Sequence, residues 1–199
     1  MKKIKNIFKN KVTRNASWMI IGRIYQMSLS FVVSMLTARY LGPSNYGLIN
    51  YASSFTSFFS TFCVLGINSV IVKNFIDHPN EEGKTTGSAI GVRMISSICS
   101  VVLIMVATLF LDRGERTTHL VVLLLGLGAI PQVFDTLNYW FQAKLESKYA
   151  AIASAIGYTV MMGYKISLLV FQKNVVWFAA ASSIEYLVVA VCLYYNYRK

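Results

Sequence analysis

Charged residues are scarce in this sequence. Lys and Arg number 19 and Asp and Glu 8 in 199 residues, so only 14% of positions are charged. A soluble domain of this length carries about 25%. Long polar stretches are missing too: the widest gap between apolar runs is residues 73–86, which leaves no room for a soluble domain. Cys63, Cys99 and Cys192 lie singly inside apolar runs. That spacing excludes a disulfide framework and a cysteine zinc site, and leaves all three as packing residues. His78 and His119 stand alone in loops on opposite sides of the expected fold, so they cannot share a metal. No glycine-rich loop ends in lysine, which excludes transport driven by ATP in a P-loop of this chain. No constellation of nucleophile and base stands out. The sequence predicts a protein that is not an enzyme and that has no cofactor.

What is abundant is apolar surface: 55% of residues are hydrophobic and the mean hydropathy is +0.53. These residues gather into six runs, about 16–38, 47–72, 87–111, 119–142, 149–171 and 175–196. A helix needs about 20 apolar residues to cross a hydrocarbon core. The expected fold is all-α: a polytopic membrane protein, with a basic tail over 1–15 and a six-helix transmembrane bundle over 16–197. The net charge of +11 does not point to nucleic acid, because the basic residues flank the spans. Lys2, Lys3, Lys5, Lys9, Lys11, Arg14, Lys73, Lys84, Lys144, Lys148, Arg198 and Lys199 fall on one side of a six-span topology. Only Arg39, Arg113, Arg116 and Lys173 fall on the other, which puts both termini in the cytoplasm. Anionic lipid headgroups are the expected counter-charge of the tail. The first run is too long for a signal peptide and no small-residue cleavage site closes it, so it is expected to stay.

Several spans carry polar stripes. Arg23, Gln26, Ser30, Ser34 and Thr37 share one side of the first, and Asn15 extends the stripe. Ser53, Thr56, Ser57, Ser60 and Thr61 share one side of the second, opposite Phe55, Phe58, Phe59 and Phe62. Gln132, Asp135, Asn138 and Gln142 share a face of the fourth. Lipid cannot solvate such faces, so they turn to one another or to a wet cavity. For the second span, hydroxyls that only hold helices together are an equal alternative. Gly87 and Gly91 form a small-xxx-small pair suited to close helix contact. Pro131 removes a helix hydrogen bond and should bend the fourth span near Gly126 and Gly128, as a fixed kink or as a hinge.

Each charge inside the membrane costs at least about 2.5 kcal/mol. Arg93 is close enough to a span end to snorkel. Arg23 and Asp135 both lie roughly 10 Å from the cytoplasmic surface, by the 1.5 Å rise per helical residue. They can form a permanent ion pair, or Arg23 can hold a phosphate with its planar fork while Asp135 steadies it. Gln26 and Asn138 belong to the same polar cavity. Lys165 and Glu185 are within reach of each other across the fifth and sixth spans, and Glu185 is a candidate proton- or cation-coupling group.

Three stretches resemble the bacterial polysaccharide flippases of the multidrug/oligosaccharidyl-lipid/polysaccharide exporter superfamily. One is Asn15, Trp18, Gly22 and Arg23 followed by Arg39-Tyr40-Leu41-Gly42. A second runs from Tyr46-Gly47 to Leu65-Gly66-Ile67. The most specific is the stretch 134–149, with Trp140-Phe141-Gln142, then Glu146, then Lys148-Tyr149. The resemblance implies one lobe of a two-lobed exporter in the bacterial cytoplasmic membrane. It also implies a polyprenyl-diphosphate-linked oligosaccharide as substrate, translocated for surface polysaccharide assembly, whether lipopolysaccharide or capsule. Cavity arginines in that family are thought to attract the diphosphate and acidic sugars, and Arg23 is the best positional match. Family members have twelve to fourteen spans, so a second six-helix lobe is an expected partner. The alternatives are a drug or cation antiporter of the same superfamily, a membrane-embedded glycan enzyme, and an inactive or non-transporting fragment.

Overall fold

The computed structural model describes residues 2–64, 67–78, 81–111 and 115–198, with the backbone alone at 2–10, 62–64 and 67–68. The side chains of Lys2, Lys3, Lys5, Lys9, Phe62 and Cys63, and residues Leu65, Gly66, Arg113 and Lys199, therefore lie outside the described residues. The helices are α1 (Lys2–Val64), α2 (Ile67–Asp77), α3 (Glu82–Leu111), α4 (Arg116–Leu127), α5 (Ala129–Gln132), α6 (Thr136–Ala143), α7 (Ser147–Val170) and α8 (Val175–Arg198). A 3₁₀ turn, Val133–Asp135, joins α5 to α6.

Helix α1 is two rods meeting at Gly42, whose φ of 71° and ψ of 172° are not helical, with Pro43 directly after it. Before the break, α1 runs alongside α7 in the same direction. Asn15 accepts from the Ser147 amide, Gly22 abuts Ala151, Val33 packs with Met161 and Met162, and Tyr40 reaches the Lys173 carbonyl. After the break the chain comes back. Leu41 and Ala52 share a cluster with Val121, Val175 and Phe178. By Ile71 and Phe75 it lies against Ala89, Tyr139, Trp140 and Ala143, at the end of the bundle where Asn15 sits.

Among the described residues, five helices are long and apolar enough to cross a membrane: Lys11–Thr61, Glu82–Leu111, Arg116–Ala143, Ser147–Val170 and Val175–Arg198. The first spans 51 residues and turns back at Gly42, so it supplies two passes. The chain is a multi-pass, all-α membrane protein with a six-pass bundle. Its exterior carries large exposed apolar side chains such as Phe31, Met35, Phe110 and Val191, as a lipid-facing surface requires.

Two local expectations are corrected. Gly87 and Gly91 face open space rather than a neighbouring helix. The packed face of α3 is Thr86, Ala89, Arg93, Ser97, Ser100, Ile104 and Thr108, at the three- and four-residue spacing of a single helix stripe. That stripe also takes Arg93 inside: it is 8% exposed, with its guanidinium 5.1 Å from the centre of the Tyr139 ring. It does not snorkel, because its side of the helix turns toward Tyr139 and away from lipid.

The fourth pass is interrupted where Pro131 predicts. Gly128 donates to the Leu125 carbonyl at 3.2 Å, one residue short of the α-helical partner. The Leu124 carbonyl left over accepts instead from the Ser183 hydroxyl on α8 at 2.8 Å. A Cβ at Gly128 would lie 3.2 Å from that hydroxyl and 3.1 Å from the Leu125 oxygen. The broken helix is thus pinned to α8 by a side chain that replaces a lost backbone bond.

Candidate functional site

The end of the bundle near Asn15 is fixed by residues from the most family-like stretch. Asn15 is buried and its Oδ1 accepts from the Ser147 amide at 2.7 Å, capping α7 from another helix. Trp140 donates to Glu82 at 2.9 Å, and Lys144 sits 2.9 Å from the same carboxylate oxygen and 4.2 Å from the Trp140 ring centre. Tyr197 meets Trp140 edge-on at 4.9 Å. Helices α3, α6 and α8 are thereby joined at one end, and the cavity opens beyond it.

That cavity has a volume of about 420 Å³. From α1 it takes Arg23, Gln26 and Ser30; from the fourth pass, Gln132, Asp135 and Asn138. Helices α7 and α8 add Ser154, Tyr158, Glu185 and Tyr186. Seven residues singled out in the sequence, Arg23, Gln26, Ser30, Gln132, Asp135, Asn138 and Glu185, are brought together here. Lys165 does not line the cavity and Pro131 stands beside it, next to the lining residue Gln132. Gln142 and Thr37 leave their stripes: Gln142 is exposed, and Thr37 is buried and bonded to its own helix at the Val33 carbonyl.

Ion pairing inside the bundle differs from the simplest expectation. Among the described residues no ion pair of 4.0 Å or less joins Arg23 to Asp135, or Lys165 to Glu185. Asp135 lies instead in the field of buried Arg93, and Glu185 in the fields of Lys165 and Asp135. Arg23 itself is exposed. It is a cation held at the rim of a polar cavity, with its guanidinium donors not spent on a carboxylate.

Arg23, Gln26, Asn138 and Ser154 also border a second cavity of about 460 Å³. Its other walls are Met19, Ile20, Gly22, Ser147, Ala150 and Ala151, between α1 and α7. Met19 and Ile20 are exposed on the outside of the bundle. Arg23 therefore stands where a polar interior meets a groove whose surface is largely apolar and whose Met19 and Ile20 are exposed. That arrangement can hold an anionic group that has a polar body on one side and an apolar chain on the other.

Sequence reasoning missed Ser154, Tyr158, Tyr186 and the part played by Arg93. Ser154 and Tyr158 are four residues apart on α7 and share a helix face, but a tyrosine in an apolar run carries no polar signal of its own. Among the described residues no group of His, Cys, Asp and Glu is arranged to hold a metal ion.

A family model described as "Polysaccharide biosynthesis protein" matches residues 12–199. No curated protein and no solved structure matches the chain.

Proposed function

The chain belongs to the polysaccharide biosynthesis protein family, and from that premise we propose that it translocates a polyprenyl-diphosphate-linked oligosaccharide across the bacterial cytoplasmic membrane. The observation that carries this reading is the position of Arg23, shared by the polar cavity and the largely apolar groove. A diphosphate is the part of such a substrate that joins a polar glycan to an apolar chain. Its oxygens match the planar donor fork of arginine. The protein acts as a transporter rather than an enzyme, with its termini in the cytoplasm as the basic flanks favour.

Translocation needs alternating access, and the Pro131 region supplies a place for the fourth pass to bend. Arg23, Ser57 and Thr61 are exposed on the first two passes, where lipid would solvate them poorly. A second six-helix lobe placed against these passes, from a longer gene product or from another copy, would close the cavity around the substrate. Asp135 and Glu185 in the same cavity favour a second reading, an antiporter of drugs or cations from the same superfamily.

Binding of polyprenyl diphosphate to the chain in nanodiscs separates the two. Arg23→Ala should weaken it about tenfold or more, the worth of a charge-assisted hydrogen bond, with Arg23→Lys in between. Undiminished binding by Arg23→Ala, together with binding of a cationic drug that Asp135→Asn abolishes, would support the antiporter instead.

A further inference from the structure

The serine and threonine stripe of the second pass borders open space between the helices. With Leu125, Ala129 and Gln132 of the fourth pass and Ser182 and Tyr186 of α8, it walls a groove of about 290 Å³. Thr56 and Thr61 donate to their own helix, at the Ala52 and Ser57 carbonyls, and each keeps lone pairs that can accept. The hydroxyls of Ser53, Ser57 and Ser60 make no hydrogen bond with the described residues. Ser57 and Thr61 are exposed, and the other three are half-buried.

Gln132 and Tyr186 line both this groove and the Arg23 cavity, so the two adjoin at these side chains. On the fourth pass, whose Val121 packs with Leu41, the groove is lined by Leu125 and Ala129 and the Arg23 cavity by the later residues Asp135 and Asn138, so the groove reaches further toward the Gly42 end, while its Thr61 lies level with Arg23. Charge is divided along the same line. The inner cavity holds Arg23, Asp135 and Glu185, whereas the groove has no charged residue in its wall.

We propose that the Ser53–Thr61 groove is a subsite for uncharged sugar residues of the glycan, lying beyond the phosphate held at Arg23. This rests on the transport reading above and narrows its substrate class. Unpartnered hydroxyls, an amide and a phenol offer both donors and acceptors, which is what sugar hydroxyls require. An acidic sugar in the groove would surrender hydration with no cation in the wall to compensate. To reach Arg23 it would also have to share the inner cavity with two carboxylates, so the groove selects neutral sugars next to the diphosphate.

The test uses three probes in nanodiscs: polyprenyl diphosphate alone, the same lipid carrying a neutral disaccharide, and the same lipid carrying a disaccharide with a uronic acid. Wild-type chain should bind the neutral glycolipid about tenfold more tightly than the bare lipid, and gain nothing from the acidic one. The double variant Ser57→Val with Thr61→Val removes hydroxyls from exposed positions and should fold as the wild type does. It should lose the tenfold advantage and bind the bare lipid unchanged. An advantage that survives in the variant, or an acidic glycolipid bound as tightly as the neutral one, would overturn the subsite. So would a variant that alters only the oligomeric state, since the groove would then seat another helix. Wild-type chain that binds none of the three probes would instead overturn the transport reading beneath it.

Discussion

Arg93 shows what one residue can hide in a sequence. Its distance from a span end suggests a side chain reaching water, but the α3 stripe on which it lies packs inward against Tyr139 and toward Asp135. Nothing in the linear sequence reveals that Asp135 lies in the field of this arginine, because that depends on how α3 and the turn Val133–Asp135 sit together. Arg93→Met should therefore cost about 1–2 kcal/mol of stability, as expected for opposite charges that interact without touching. Adding Asp135→Asn should recover most of it, measured by unfolding in bicelles. Equal losses that simply add would show that the two charges do not interact. The cavity residues were more legible, since Arg23, Gln26, Asp135 and Asn138 are polar residues recurring at helical spacing in otherwise apolar runs. Ser154, Tyr158 and Tyr186 were not, because isolated hydroxyls on a mostly apolar helix look like packing.

The helices themselves were legible from apolar length, and the gap between the first two runs holds the break at Gly42 and Pro43. What the sequence could not give is the way elements approach one another. A Cβ at Gly157 of α7 would overlap the Val189 side chain and lie 3.2 Å from the Glu185 carbonyl. Gly157→Ala should push α7 from α8 and cost about 1–3 kcal/mol, the usual penalty of overpacking. It should also weaken glycolipid binding, because Tyr158 and Glu185 sit at that contact and line the cavity. A neutral substitution would show that the helices are not this close. Gly42 is a different case: no atom lies within 4 Å of its would-be Cβ, so only its φ of 71° resists a side chain. Gly42→Ala should destabilise by about 1 kcal/mol or more through backbone strain. Gly47→Ala, also in open space but without that φ, should be neutral or slightly stabilising. Equal effects at the two sites would mean that the chain reversal does not depend on Gly42.

At the scale of the whole molecule, the six passes line a row of adjoining open cavities that changes character along its length. A largely apolar groove between α1 and α7 borders Arg23, which also lines a polar cavity, and that cavity adjoins an uncharged groove along the second pass. This order parallels that of a lipid-linked glycan: chain, phosphate, sugar. Much of the stretch that carries the family likeness maintains the frame around these cavities, as the Asn15 cap and the Trp140–Glu82–Lys144 cluster show. Motif residues thus divide between the two: Asn15, Trp140 and Lys144 hold the frame, while Arg23, Asp135 and Asn138 line the cavity. The most direct test of the transport reading is complementation in a flippase-null bacterium. The chain would be expressed alone and extended by any downstream reading frame, each with and without Arg23→Ala. The account predicts that surface polysaccharide returns with wild-type Arg23, in the extended form at least, and falls sharply with Arg23→Ala at equal expression. Full restoration by Arg23→Ala would contradict it, and so would a well-expressed wild-type chain that restores nothing in either form.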